Sequence, residues 1–207
     1  PCDVVLTKPS GERYSKWRVA TTLPRRSGNA LEFGDFRAKD YDELIDCPVE
    51  MGTFTHARFD AGGIPHEVAL TGVFDVDLDR LCADLKVVCE EHLSRMGTPS
   101  DLDCFLFQIM VVGSGYGGLE HRTSTSLICS RDDLPRKGDT EIGNGYRTLL
   151  ALASHEYFHL WNVKRIKPAR FTPFDLSQES PTTLLWAFEG FTSYFEPLAL
   201  IRCAIIS

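Results

Sequence analysis

Ser154-His155-Glu156-Tyr157-Phe158-His159-Leu160 is the stretch on which the reading of this 207-residue chain turns. Residues four apart share one face of a helix, so His155 and His159 can aim both imidazoles at a single ion. Glu156 is offset from that ion but close to a water on it, where its carboxylate can take a proton. Three uncommon residues rarely meet this HExxH spacing by chance. The apolar positions Leu149, Leu150, Ala153, Tyr157 and Leu160 place it in a helix expected over 146–162.

A catalytic zinc takes three protein ligands and leaves a fourth position open, so a third ligand is required. The metzincin continuation HExxHxxGxxH is excluded, because Asn162 and Arg165 stand where its glycine and third histidine belong. The remaining candidates are Asp175, Glu179, Glu189 and Glu196. Glu189 is favoured: it lies within Leu184-Leu185-Trp186-Ala187-Phe188-Glu189-Gly190-Phe191, and a carboxylate buried in so apolar a helix needs a compensating partner. Asp175 and Glu179 fall in a polar loop. Glu196 stands beside Pro197, which is expected to kink or end a helix over 182–196, and solvated surface is its default setting.

Upstream, alternating segments at 51–60 and 66–73 flank Ala61-Gly62-Gly63, a hairpin signal. His56 and His66 beside it lack a nearby third ligand and read as ordinary surface residues. Apolar residues from Leu78 to Leu93 recur at helical spacing over 77–96, and Gly97 is placed to end that helix. The continuous apolar run 105–112 is a buried strand, read as leading through a glycine-rich turn into an outer strand over 121–130. These glycines match no phosphate-binding fingerprint. Before residue 45, short β-type pieces such as 17–22 are separated by Pro24, Gly28 and Gly34. Lys164, Arg165 and Lys167, followed by Pro168, read as cations complementing a helix C-terminus.

Apolar residues at 43% and charged residues at 25% describe an ordinary globular chain, and a net charge of −7 disfavours nucleic acid as a partner. The apolar stretch 198–206 is too short, and too interrupted by Arg202, to span a membrane. Seven cysteines without a CxxC pair argue against a disulfide framework and point to buried thiols in a reducing, cytoplasmic compartment. No signal-type start is visible. The chain opens on Pro1, which reads as a trimmed fragment whose targeting segment could lie elsewhere.

The runs SHEYFHLWNVKRIKP (154–168), LLWAFEGFTSYF (184–195), YGGLEHRTS (116–124) and DYDELIDCPVEMG (40–52) together resemble the glycyl aminopeptidase family, PDZ-containing gluzincin zinc peptidases. The likeness extends over most of residues 17–200, and the 29 residues between His159 and Glu189 suit this family better than thermolysin-type spacing.

The resemblance implies an α+β fold. The end of an N-terminal β-rich domain (1–47) would precede the first part of a thermolysin-like catalytic domain (48–207), a mixed sheet with metal-binding helices. It implies one Zn2+ per chain on His155, His159 and Glu189, with Glu156 as general base. Gly117-Gly118-Leu119-Glu120-His121 is similar to the GxMEN motif of related aminopeptidases, with leucine and histidine replacing methionine and asparagine. Gly117 and Gly118 would pair with substrate backbone and Glu120 would bind its free α-amino group, with Glu50 as a second candidate for that amine. The implied partner is a peptide with a free N-terminus and a small first residue, glycine or alanine. Endopeptidase activity with the same zinc chemistry, or a non-catalytic peptide-binding fragment that retains zinc, are the alternatives. The oxyanion-stabilising residue and the family's C-terminal helical and PDZ parts are expected beyond residue 207. The sequence gives no oligomeric state.

Overall fold

The computed structural model describes residues 1–206. Its centre is a five-stranded mixed sheet in the order β5 (Thr55–Ala61), β6 (Ile64–Gly72), β7 (Phe105–Val112), β9 (Ser124–Ser130), β8 (Tyr116–Glu120). Strands β6, β7 and β9 run parallel, while β5 and β8 are antiparallel edges. The continuous apolar run becomes the central strand, with its helix-side face and its first residues on the other face buried and Met110 exposed. Gly62 and Gly63, at φ 60° and 80°, close the β5–β6 hairpin in a two-residue turn that needs positive φ twice.

Helix α2 (Leu78–Met96) crosses from β6 to the parallel β7. Asp77 caps its start by accepting the Arg80 N–H at 3.2 Å, and Gly97 ends it at φ 79°. With α3 (Asn144–Phe158) it covers one sheet face, where Leu70, Phe105, Phe107 and Leu127 meet Leu81, Leu85, Leu149, Leu150 and Tyr157, all at most 2% exposed. Each such side chain contributes about 1.5–3 kcal/mol of burial energy, enough to fix α3 against the sheet.

The amino-terminal strands β1 (Cys2–Leu6) and β3 (Gly34–Ala38) pair with each other, as do β2 (Arg18–Ala20) and β4 (Glu50–Gly52), and a short helix α1 (Tyr41–Ile45) lies between β3 and β4. Val19, Leu23, Phe36, Ala38 and Cys47 form a separate small core. Ala20 and Phe54 then pack on Ala69 and Leu106 of the large sheet, and the Gln108 amide donates to the carbonyls of Ala20 and Pro48.

The segment expected as one strand over 51–60 divides into β4 and β5, because Glu50–Gly52 pairs with β2. Of the glycine-rich stretch, 113–115 is a turn as expected, but Gly117 and Gly118 lie in the edge strand β8, and a second turn follows at 121–123. Glycines at an edge leave room for Glu156, as described below. The third helix begins as a π-helical turn, Trp186–Gly190, and runs on as α4 (Phe191–Arg202) straight through Pro197. Burial of Ala199 and Leu200 against the main core outweighs the one backbone donor that proline lacks. His66 is fully buried, bonding the Ile64 carbonyl and the Tyr157 hydroxyl, so it is no surface residue. His56 pairs with Glu67 at 2.9 Å. All seven cysteines are free, three buried and four half-buried. No helix among the described residues is long and apolar enough to cross a membrane.

Candidate metal centre and peptide-binding edge

Helix α3 delivers His155 from its last turn and His159 as its C-cap residue. Each imidazole is fixed through Nδ1. The Nδ1–H of His155 donates to Glu196 Oε2 at 3.0 Å, and that of His159 donates to the Asn162 carbonyl at 2.7 Å. Both Nε2 lone pairs therefore point away from these partners and toward Glu189, whose Oε2 lies 3.3 Å from His155 Nε2 and 3.8 Å from His159 Nε2. Ligands about 2.0–2.2 Å from one tetrahedral ion sit about 3.3–3.6 Å apart, so this spacing suits shared coordination. Two imidazole nitrogens and a carboxylate oxygen gathered this closely favour a cation among them, either a proton on an imidazole or a metal ion. Accordingly, although burial alone would lower the His155 pKa, the carboxylates of Glu196, Glu156 and Glu189 raise it. The residues present fit a divalent metal of the zinc type, and a second carboxylate-to-histidine bond of the Glu196 kind commonly accompanies such ligands.

Glu156 borders the same space, with a carboxylate oxygen within 4.8 Å of a His159 ring nitrogen. It is 5% exposed, and its Oε2 has no hydrogen-bond partner. Burial, reinforced by Glu120 and Glu189 against the opposing His155 and Lys164, pushes its pKa up to about 7. A carboxylate so placed is poised to exchange a proton near neutral pH. Glu120, Glu156 and His159 form a second convergent group, with donor atoms within 4.8 Å of one another. The end of β8 thus brings the Glu120 carboxylate beside the base.

Strand β8 is an edge, bonded to β9 on one side only. Gly118 lies directly over Glu156: a Cβ there would sit 2.7 Å from Glu156 Cγ and closer still to its carboxylate. Gly117 faces open space. Glu120 is 3.7 Å from Lys164 Nζ, which also reaches Asp46 at 3.2 Å. Asp46, just after α1, in addition accepts the Arg122 N–H at 3.0 Å and faces His121. Burial would raise the Asp46 carboxyl, but His121, Lys164 and the Arg122 amide hold it at about 2. A cavity of about 380 Å³ opens beside Glu120, lined among others by Ile45, Asp46, Lys164, Phe171 and Phe174.

The structure thus gathers His155, Glu156, His159, Glu189, Gly118 and Glu120, with Gly117 adjacent. It does not bring Glu50 to them. That carboxylate accepts a bond from Thr71 at 3.0 Å, and Thr71 alternates with the core-facing Leu70, so it points to the sheet face away from α3. The reason for favouring Glu189 also fails, because its side chain is 48% exposed and its neighbours Leu185, Trp186 and Phe191 are exposed too. Proximity, not burial, selects it. Glu196 was expected in solvent and instead orients His155. Its spacing of seven from Glu189, two helical turns on one face, was the available signal. Asp46, Lys164 and Asn162 carried no such signal, and Lys164 does more than complement a helix end.

Residues 148–207 match the family model for M61 glycyl aminopeptidase, and residues 1–53 match that for the Peptidase M61 N-terminal domain. Among solved structures, the crystal structure of an aminopeptidase N family protein from Idiomarina loihiensis superposes with a TM-score of 0.95 at 44% identity, covering 100% of this chain. No curated protein sequence matches the chain. The mixed sheet and the elements around it are therefore those of an aminopeptidase-type structure. The chain belongs to the M61 glycyl aminopeptidase family. It spans about a third, 35%, of the length of the Idiomarina protein.

Proposed function

We propose that this chain carries the zinc centre of a thermolysin-like aminopeptidase, with one Zn2+ held by His155, His159 and Glu189. The observation that carries the reading is the convergence of three metal-type donors beside the buried, unpartnered Glu156 oxygen. When bound, zinc supplies Lewis-acid activation of a water and of a carbonyl oxygen. Glu156 then takes the proton of the attacking water and returns it to the departing amine, a role worth typically 10²–10⁴-fold in rate. The free edge of β8 at Gly117 and Gly118 pairs with the extended peptide backbone, a mode independent of side chains. Glu120 receives the α-ammonium and so sets the register of cleavage. On this reading residues 48–207 hold the catalytic groups, while residues 1–47 reach the site through Asp46. Seven unpaired thiols suit a reducing compartment such as the cytoplasm.

The test is metal content of the purified protein together with release of product from glycyl- and alanyl-anilides, repeated with Glu156→Gln. About one zinc per chain, turnover, and loss of turnover with zinc retained in Glu156→Gln are expected. A protein that binds no zinc when it is supplied would refute the reading, and zinc without turnover in the full-length protein would favour a peptide-binding role. Glu120→Ala separates exo- from endopeptidase action. A large loss on free amino termini with none on blocked peptides fits the first, and equal effects fit the second. The family likeness favours glycine and alanine at the first position. The cavity beside Glu120 favours larger apolar side chains instead, and comparing leucyl- with alanyl-anilide decides between them.

A further inference from the structure

The geometry points to Asn162 as the positioning residue that joins the two halves of the metal centre. Its backbone holds His159 and its side chain holds the turn carrying Glu189. This inference rests on the metal site proposed above.

Asn162 lies three residues past His159 and is 8% exposed. Its carbonyl accepts His159 Nδ1–H at 2.7 Å, which fixes the ring and leaves Nε2 for the metal. Its Nδ2 donates to the carbonyls of Ala187 at 3.1 Å and Phe188 at 3.3 Å, with Thr192 Oγ1 at 3.4 Å. Thr192, fully buried, also donates to the Phe188 carbonyl.

The need for such a side chain follows from the π turn. Over Trp186–Gly190 the hydrogen-bond register widens from i−4 to i−5, and such a widening generally leaves a backbone carbonyl without its usual amide donor where it meets an α-helix. Ala187 and Phe188 immediately precede Glu189, so the carbonyls that Asn162 secures set the height and rotation of that residue. Glu189 has little else to hold it. Its side chain is half exposed, and its polar contacts among the described residues are with His155 and His159. The two N–H groups of a carboxamide lie in one plane and can serve two successive carbonyls. Alanine offers no donor, and aspartate sets oxygen against oxygen.

The test measures zinc affinity of the full protein by competition with a chromophoric chelator, and records the visible spectrum of the cobalt(II)-substituted form, for wild type, Asn162→Ala, Asn162→Asp and Thr192→Val. Asn162→Ala is expected to bind zinc about 10- to 100-fold more weakly, as loss of an outer-shell partner commonly does, with an altered cobalt spectrum and a retained circular dichroism signature. Asn162→Asp should lose more, and Thr192→Val should change in the same direction but less. Folded Asn162→Ala with wild-type zinc affinity and cobalt spectrum overturns the inference. Should Asn162→Ala fail to fold, Thr192→Val decides: a weaker site with a shifted spectrum supports the positioning role of Asn162, and wild-type values overturn it. His155→Ala keeps the two readings apart. If it binds zinc as tightly as wild type, the metal site itself is misplaced, whereas loss in His155→Ala with none in Asn162→Ala removes only the role of Asn162.

Discussion

A single methyl group on the edge strand should disable the base. In Gly118→Ala the new Cβ would lie 2.7 Å from Glu156 Cγ, inside the normal contact distance, with the carboxylate nearer still. Carbon atoms rest about 3.5–4.0 Å apart, so Glu156 must retreat by about 1 Å. It cannot do so freely, being 5% exposed at the junction of α3 and the sheet. Misplacing a reacting group by about 1 Å can cost about 10²-fold, equivalent to about 2.7 kcal/mol of transition-state stabilisation. We therefore expect kcat on alanyl-anilide to fall about 100-fold in Gly118→Ala, with zinc content unchanged, because the three atoms nearest the new methyl all belong to Glu156 and none to a proposed zinc ligand. Gly117→Ala is the control. Its Cβ would meet nothing within 4 Å, so Glu156 should stay in place and kcat should be nearly unaltered. Steady-state kinetics of both variants, with metal analysis, provides the assay. Wild-type kcat in Gly118→Ala would refute the claim that the position of Glu156 is limited by the bare backbone above it. So would equal losses in the two variants, which would trace the effect to the strand.

Three further outcomes follow from the same geometry. Glu189→Ala should weaken zinc affinity by orders of magnitude, since one of three ligands is lost; equal zinc content after dialysis against a chelator would remove Glu189 from the site. Asp46→Asn should raise KM for free-amine substrates more than it lowers kcat, because Lys164 loses its other carboxylate and moves onto Glu120; an unchanged KM would show that Lys164 does not compete there. Burial lowers the His92 pKa to about 4, so the folded chain resists a proton that the unfolded chain accepts near 6.5. Stability is then fully present above about pH 6.5 and falls as the pH drops toward 4, by about 2 kcal/mol at pH 5 from this residue alone. Urea midpoints at pH 7 and pH 5 should reveal the fall in wild type and a much smaller one in His92→Gln.

The HExxH helix, the α2 helix, the central strand and the Gly62–Gly63 hairpin were legible because each is governed by short-range rules: periodicity, caps and positive φ. What the sequence concealed depends on contacts between distant segments. Whether Tyr116–Glu120 is a turn or a strand is decided by β9, which supplies its partner, and not by the glycines themselves. Whether Pro197 ends a helix is decided by the core that Ala199 and Leu200 reach. The apolar neighbourhood that points to Glu189 is one the fold exposes, and a π turn is what carries that carboxylate to the two imidazoles. The local setting of Glu196 suggests solvent, yet it lies across from His155 once α4 packs on α3.

The least legible part of the site is its dependence on the amino-terminal piece. Asp46 belongs to the segment after α1, more than seventy residues before Glu120, yet it binds the amide of Arg122 in the turn that follows Glu120 and the ammonium of Lys164 that touches Glu120. Glu120 in turn raises the pKa of Glu156, and Lys164 opposes it. Moving Lys164 toward Glu120 would therefore mute the charge that keeps Glu156 basic near neutral pH and occupy the carboxylate that an incoming ammonium would seek. By drawing Lys164 back, Asp46 acts on both groups at once. The amino-terminal β structure is thus tied to the candidate site by electrostatics as well as by packing, and a chain cut between the two would disturb amine recognition and proton transfer together.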